Sequence, residues 1–154
     1  MKDAEFFEKK FRFAKVNKRL GVIFGWAIIS KIDGEAYVDT QKHHIPEDSM
    51  LEKALDYMMR SRKGGEMHRK KKAADGSKEV EKRGTVPFCF PLTDEIAKAY
   101  KIQCRVSGLM IGWLPHEDCR EEIVEKFESG EYNGFSVGGK LFSALPFDPE
   151  EAAA

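Results

Sequence analysis

The stretch Val22-Ile23-Phe24-Gly25-Trp26-Ala27-Ile28-Ile29 decides the fold. It is β-branched and aromatic, short for a helix, and apolar at successive positions, so it reads as a strand buried on both faces. Asp33-Gly34 follows as a two-residue hairpin signal. Ala36-Tyr37-Val38 then reads as the returning strand and delivers Asp39 at its end. Further along, Cys104-Arg105-Val106-Ser107-Gly108-Leu109-Met110-Ile111-Gly112-Trp113-Leu114 reads as a second long strand ended by Pro115. Thr85-Val86-Pro87-Phe88-Cys89-Phe90 is a third, whose proline suits an edge or a bulge.

Helices fall between and after these strands. Ser49-Met50-Leu51-Glu52 has the form of a capping box, and Met50, Leu51, Ala54, Leu55, Met58 and Met59 share one stripe at helical spacing, predicting a core-covering helix over about 49–61. Gly64-Gly65 breaks it. Residues 94–100 form a short helix. Residues 117–129 form another, with Cys119, Ile123, Val124 and Phe127 inward and Gly130 as its C-cap. Residues 69–83 carry almost no large apolar group and read as an exposed hairpin or a loop. Phe6, Phe7, Phe11 and Phe13 among basic residues fit an amphipathic arm and an edge strand equally well. The pattern as a whole predicts an α+β domain: a small, mostly antiparallel sheet or barrel with flanking helices.

The chain has 154 residues, the size of one domain, so one active site is the most to expect. The expected division is an arm over 1–19, a single domain over 20–145 and a linker or tail over 146–154. No stretch approaches the roughly 20 apolar residues of a membrane-spanning helix. Lys and Arg (26) balance Asp and Glu (26), which disfavours a whole-surface polyanion binder but leaves local basic clusters open. Cys89, Cys104 and Cys119 are odd in number and lack zinc-like spacing, so buried free thiols in a reducing compartment are expected. No Gly-rich phosphate loop opens a helix, and no metal or other cofactor is expected. The N-terminus lacks the apolar region of a secretory signal.

Ser136 lies in Gly134-Phe135-Ser136-Val137-Gly138, a G-x-S-x-G match. The α/β-hydrolase elbow needs a strand before the serine, a helix after it and a later histidine. Here a helix and turn precede Ser136, and His43, His44, His68 and His116 all come before it. A serine nucleophile still needs only a histidine to take its proton and a third group to orient the imidazole, in any chain order. The neighbouring glycines would let backbone N–H groups approach a developing oxyanion. His116, at a helix start, reads as a solvated loop residue, and His43-His44 as one buried and one exposed side chain.

The segment Gly130-Glu131-Tyr132-Asn133-Gly134-Phe135-Ser136-Val137-Gly138-Gly139, after a helix and a strand ending Ile111-Gly112-Trp113, resembles the C-terminal signature of tailed-phage prohead proteases, G-x-x-x-G-[FLW]-S-[IV]-G-G. Ala36-Tyr37-Val38-Asp39-Thr40-Gln41-Lys42-His43-His44-Ile45-Pro46 resembles the same family's opening segment, which leads into a helix. Gly65-Glu66-Met67-His68 stands where that family has its catalytic histidine. The resemblance covers about residues 20–140 in three ordered segments. It implies a serine endopeptidase of capsid maturation, related in fold to the herpesvirus assembly protease. It also implies cleavage of scaffold, portal-associated or major capsid protein segments, and of the chain itself, inside the procapsid in the host cytoplasm.

Carried onto this chain, the resemblance makes Ser136 the nucleophile, His68 the general base and Asp39 the third member. The sequence departs at His43, where relatives commonly have a second aspartate. His43 or His44 as the orienting group, and a Ser–His dyad, therefore stay open beside Asp39. Herpesvirus relatives also dimerise, and the apolar face of 119–127 fits either a dimer or an internal contact. The rival reading is nucleic-acid binding through Arg60, Arg62, Lys63, Arg69, Lys70, Lys71 and Lys72, with Phe6, Phe11 and Phe13 as stacking groups; a solvated charge run is the plainer account of those residues. A catalytically inactive structural relative is a third.

Overall fold

The computed structural model describes residues 15–39, 42–64, 70–72, 74–80, 83–132 and 134–135. Most of the N-terminal arm, His68, Ser136 and the C-terminal tail lie outside them. Among the described residues the order is β1 (Lys15–Asn17), β2 (Val22–Ile32), β3 (Glu35–Ala36), α1 (Glu47–Arg60), β4 (Lys63–Gly64), β5 (Lys70–Lys72), β6 (Lys78–Val80), β7 (Gly84–Leu92), α2 (Asp94–Tyr100), β8 (Val106–Pro115) and α3 (Arg120–Glu128).

The protein is α+β. Its main sheet is antiparallel throughout, in the order β1-β2-β8-β7-β4, with β3 pairing the far end of β2. Among the described residues this sheet does not close on itself. The two continuous apolar runs are its central strands β2 and β8. Each has a neighbour on both sides and is buried along nearly its whole length. Asp33 and Gly34 turn β2 into β3 with φ of 53° and 78°, the type I′ geometry that the dipeptide favours.

Bulges bend this sheet. The β2–β8 register slips between Trp26 and Ile28 and again between Ile29 and Lys31; β7 slips against β8 between Thr85 and Phe88, where Pro87 sits. Each slip inserts one unpaired residue, which kinks the strand and increases its twist. Proline is tolerated at a bulge because no ladder hydrogen bond is lost there.

Alternation along β8 divides the core between two faces. Leu109, Ile111 and Trp113 point one way and pack with Ile23, Ala27, Ile28 and Val86 beneath Met50 and Ala54 of α1 and Ile123 and Phe127 of α3. Val106 and Met110 point the other way, with Trp26, Ile29, Ile32, Tyr37 and Leu92, beside Ile96 and Ala97 of α2. Full burial of such side chains stabilises by roughly 1.5–3 kcal/mol each, so the two clusters together hold the sheet between its helices. Gly112 allows a further contact. The Phe24 and Phe88 rings meet over it with centroids 5.8 Å apart, in the space where a Cβ would lie 2.8 Å from Phe24 and 2.9 Å from Phe88.

Several local expectations are corrected. The helix expected over 49–61 starts at Glu47, after Pro46, and no side chain caps it. Ser49 therefore lies inside the helix, and the capping box is not used. Within the expected stripe Met50 and Ala54 are buried, whereas Leu55 and Met59 are 66% and 74% exposed. The returning strand ends at Ala36, so Tyr37, Val38 and Asp39 lie beyond it. α3 begins at Arg120, with Cys119 as its N-cap. Cys119 is buried, but Cys89 is half-buried and Cys104 exposed. His43 and His44 are both half-buried. The basic stretch after residue 69 forms a small hairpin, β5 with β6, in a sheet of its own.

Candidate functional site

At the sheet end where α1 finishes, β7 and β8 carry Gly84 opposite Pro115 and Thr85 opposite Leu114. β4 pairs there, Gly64 against Gly84 and Lys63 against Thr85, and Val86 N–H donates to the Arg62 carbonyl at 3.0 Å. Trp113 lies beneath. A Cβ on Gly84 would stand 2.3 Å from the indole nitrogen and 2.4 Å from the Leu114 carbonyl oxygen, so only glycine lets β7 approach so closely.

The same indole receives the chain that follows α3. Gly130 reverses direction at φ 82°, and Tyr132 N–H donates to the Lys126 carbonyl. Phe135 then packs edge-on to Trp113, centroids 6.3 Å apart and planes at 82°, and lies 5.8 Å from Phe127. Phe127 is itself edge-on to Trp113 and Tyr132. This aromatic cluster fixes the residue immediately before Ser136. Gly64, four residues before His68, is tied to the strand above the same indole. Ser136 and His68 themselves lie outside the described residues.

Asp39 is described, and it closes a short turn with His43. Its Oδ1 accepts from His43 N–H at 2.8 Å, its own N–H donates to the His43 carbonyl at 2.9 Å, and Oδ2 lies 4.0 Å from His43 Nδ1. His44 Nδ1 is 2.9 Å from the Tyr37 carbonyl oxygen. A carbonyl only accepts, so the proton is on Nδ1, and in the neutral ring Nε2 carries the lone pair. The structure thus brings Asp39 and His43 together, with His44 in the same loop.

This loop enters α1 at its start, where Glu47 lies 3.1 Å from Lys31 Nζ. Lys31 also holds Asp94 at 2.7 Å, and Asp94 N–H donates to Glu47. These partners, Asp94 first, hold the Lys31 ammonium above its ordinary range. The 14 residues of α1 span about 21 Å at 1.5 Å per residue. The Asp39 loop therefore lies by one end of α1 and the Trp113 cluster by the other. Near that second end, burial, and then the charge of Cys89, push the Tyr57 phenol up to about 12, and burial also raises the Cys89 thiol.

No protein-family model, curated protein or solved structure matches the chain. Among the described residues no group of three or more His, Cys, Asp or Glu side chains is placed to hold a metal ion, and no helix is long and apolar enough to cross a membrane. His116 is exposed ahead of α3. What the sequence reading missed is the support: Trp113, Phe127 and Gly84. The signal for it was two apolar segments and a lone glycine, features that core packing alone accounts for equally well.

Proposed function

We propose that the chain is a serine endopeptidase of the prohead-maturation type, acting on scaffold and capsid-protein segments, and on itself, within an assembling procapsid in the host cytoplasm. The observation that carries this reading is the ordered resemblance of three segments, sharpest at 130–139. The anchoring of Phe135 on Trp113 and Phe127 supports it, because a nucleophile must be held within a fraction of an ångström of its productive position. The bulged β2 and β7 also support a small barrel of the herpesvirus-protease kind, since bulges are how a sheet acquires the curvature for closure.

In this mechanism His68 takes the Ser136 hydroxyl proton as Oγ attacks the scissile carbonyl carbon. The tetrahedral oxyanion accepts from backbone N–H groups near Gly138-Gly139. Its collapse breaks the C–N bond, the leaving amine takes the proton from His68, and water activated by the same imidazole hydrolyses the acyl-enzyme. The resemblance assigns Asp39 as the orienting acid, with His43 and His44 in the same loop as alternatives; because that loop lies by the end of α1 opposite the Trp113 cluster, a Ser136–His68 dyad is the alternative that the geometry favours. The test is covalent: an organophosphonate probe adds its mass to the peptide containing Ser136 in the wild-type chain and not in His68→Ala. Absence of the adduct, or an adduct independent of His68, overturns the assignment.

One observation favours a second reading. Lys70, Lys71 and Lys72 fall in a hairpin strand separate from the main sheet, a form suited to a polyanion backbone. Nucleic-acid binding through it would show an affinity falling steeply with salt; no binding to a DNA duplex near physiological salt removes this reading.

A further inference from the structure

The two central strands each carry a buried hydroxyl among apolar neighbours. Ser30 of β2 is 0% exposed and Ser107 of β8 is 5% exposed, and neither Oγ has a hydrogen-bond partner among the described residues. The register sets these two side chains on the same side of the sheet. Where β2 first slips against β8, Ala27 is the extra residue, and both it and Ile28 share the core of Leu109, the partner of Ile28. The second slip repeats this arrangement: Ile29 pairs with Gly108 and Lys31 with Ser107, which leaves Ser30 as the extra residue. Ile29 belongs to the opposite cluster, and side chains alternate along a strand, so Ser30 turns to the side that Lys31 and Ser107 share. Lys31 reaches Glu47 at the start of α1, which identifies this side as the one that α1 covers.

A buried hydroxyl left unbonded shifts the unfolding equilibrium by about five- to a hundredfold against the fold, and here two would do so side by side. Buried polar groups without a protein partner are ordinarily satisfied by internal water, which makes about two to four hydrogen bonds. Each serine hydroxyl both donates and accepts, so one water between them can accept from one and donate to the other. A bulge also disrupts the ladder locally, which leaves backbone groups for the water's further bonds. An ion fits less well. Both hydroxyls are neutral, Lys31 is already held by Glu47 and Asp94, and among the described residues no group of His, Cys, Asp or Glu side chains is placed to hold a metal. We infer that Ser30 and Ser107 form a binding site for one internal water at the second bulge of β2, beneath the start of α1. The site is independent of the proposed peptidase chemistry.

Water-oxygen magnetic relaxation dispersion on the full chain tests this, because it follows the oxygen of long-lived waters and is blind to exchange of hydroxyl protons. The wild-type chain should hold one more such water than Ser30→Ala/Ser107→Ala. Urea unfolding of both single variants and the double variant completes a cycle. Each single substitution deprives the water of a partner and should raise the unfolded-to-folded ratio about tenfold; the double variant should be no less stable than the weaker single one, because both changes remove the same water. Equal water counts overturn the inference, as do single substitutions that are neutral or stabilising, or effects that simply add. Should the double variant not fold, a crystal structure of the wild-type chain decides. One water within about 3 Å of both Oγ atoms is expected, and hydroxyls bonded instead to each other or to the backbone overturn the inference.

Discussion

Phe135 meets Trp113 edge to face, with ring centroids 6.3 Å apart, and through that contact the residue before Ser136 is fastened to the sheet's second central strand. Half-buried and shared with Phe127, the Phe135 ring contributes about 2 kcal/mol, roughly half the cost of deleting a fully buried phenylalanine. Phe135→Ala should lower the unfolding free energy measured in urea by that amount. If Ser136 is the nucleophile, the same change should cost a further 10–100-fold in cleavage rate under conditions where the protein stays folded, and Phe135→Leu should restore part of both.

Asp39→Asn separates two roles of one side chain. An asparagine oxygen still accepts from His43 N–H, so the turn persists and the unfolding free energy should stay within about 1 kcal/mol of wild type. If Asp39 orients the base, turnover falls by about 10⁴, the loss seen when the orienting carboxylate of a serine protease is neutralised. Unchanged turnover would confine Asp39 to closing the turn, and His43→Ala and His44→Ala would then be the variants to assay.

Gly84 and Gly112 should differ in what they tolerate. A Cβ on Gly112 meets ring atoms of Phe24 and Phe88, which can tilt away, so Gly112→Ala should cost about 1–3 kcal/mol. A Cβ on Gly84 meets the Leu114 carbonyl oxygen and Pro115 Cα, which are backbone and cannot move without parting β7 from β8. Gly84→Ala should be the more destabilising in urea denaturation; the reverse order would contradict the packing described.

Alkaline pH should weaken the fold through Tyr57. Its phenol titrates near 12 in the folded chain and near 10 when unfolded. The neutral form is therefore the one that the fold favours. The stabilisation is fully present below pH 10 and is lost as pH rises through about 12, because the unfolded chain releases this proton first. Cys89, raised by burial, acts with the same sign from its own lower range. Urea midpoints should fall between pH 10 and 12, less steeply in Tyr57→Phe.

The central sheet was legible because β2 and β8 each carry a continuous apolar run, residues 22–29 and 108–114, the pattern of a strand covered on both faces. Asp33-Gly34 and residues 94–100 read correctly because their signals are local: a turn that needs positive φ, and a helix capped by Thr93, whose Oγ1 accepts from Ile96 N–H. The start of α1 was misread because the deciding interactions are tertiary. Glu47 reaches Lys31 and Asp94 N–H, partners distant in sequence, and this outweighs a capping box at Ser49. Leu55 and Met59 matched the helical stripe but lie outside the arc that touches the sheet. At the site, the pairing of Asp39 with His43 was partly visible as an acid and a histidine four residues apart. The convergence of β4, Gly84 and Phe135 on Trp113 was not visible, since it depends on strand order and close approach rather than on any motif.

The central claim is tested most directly by co-expressing the chain with the scaffold and capsid proteins that the proposed function makes its substrates and following the masses of both. Processing should occur with the wild-type chain, at sites defined by new N-termini, and should be abolished by Ser136→Ala at equal expression. Processing that persists in Ser136→Ala would contradict the assignment.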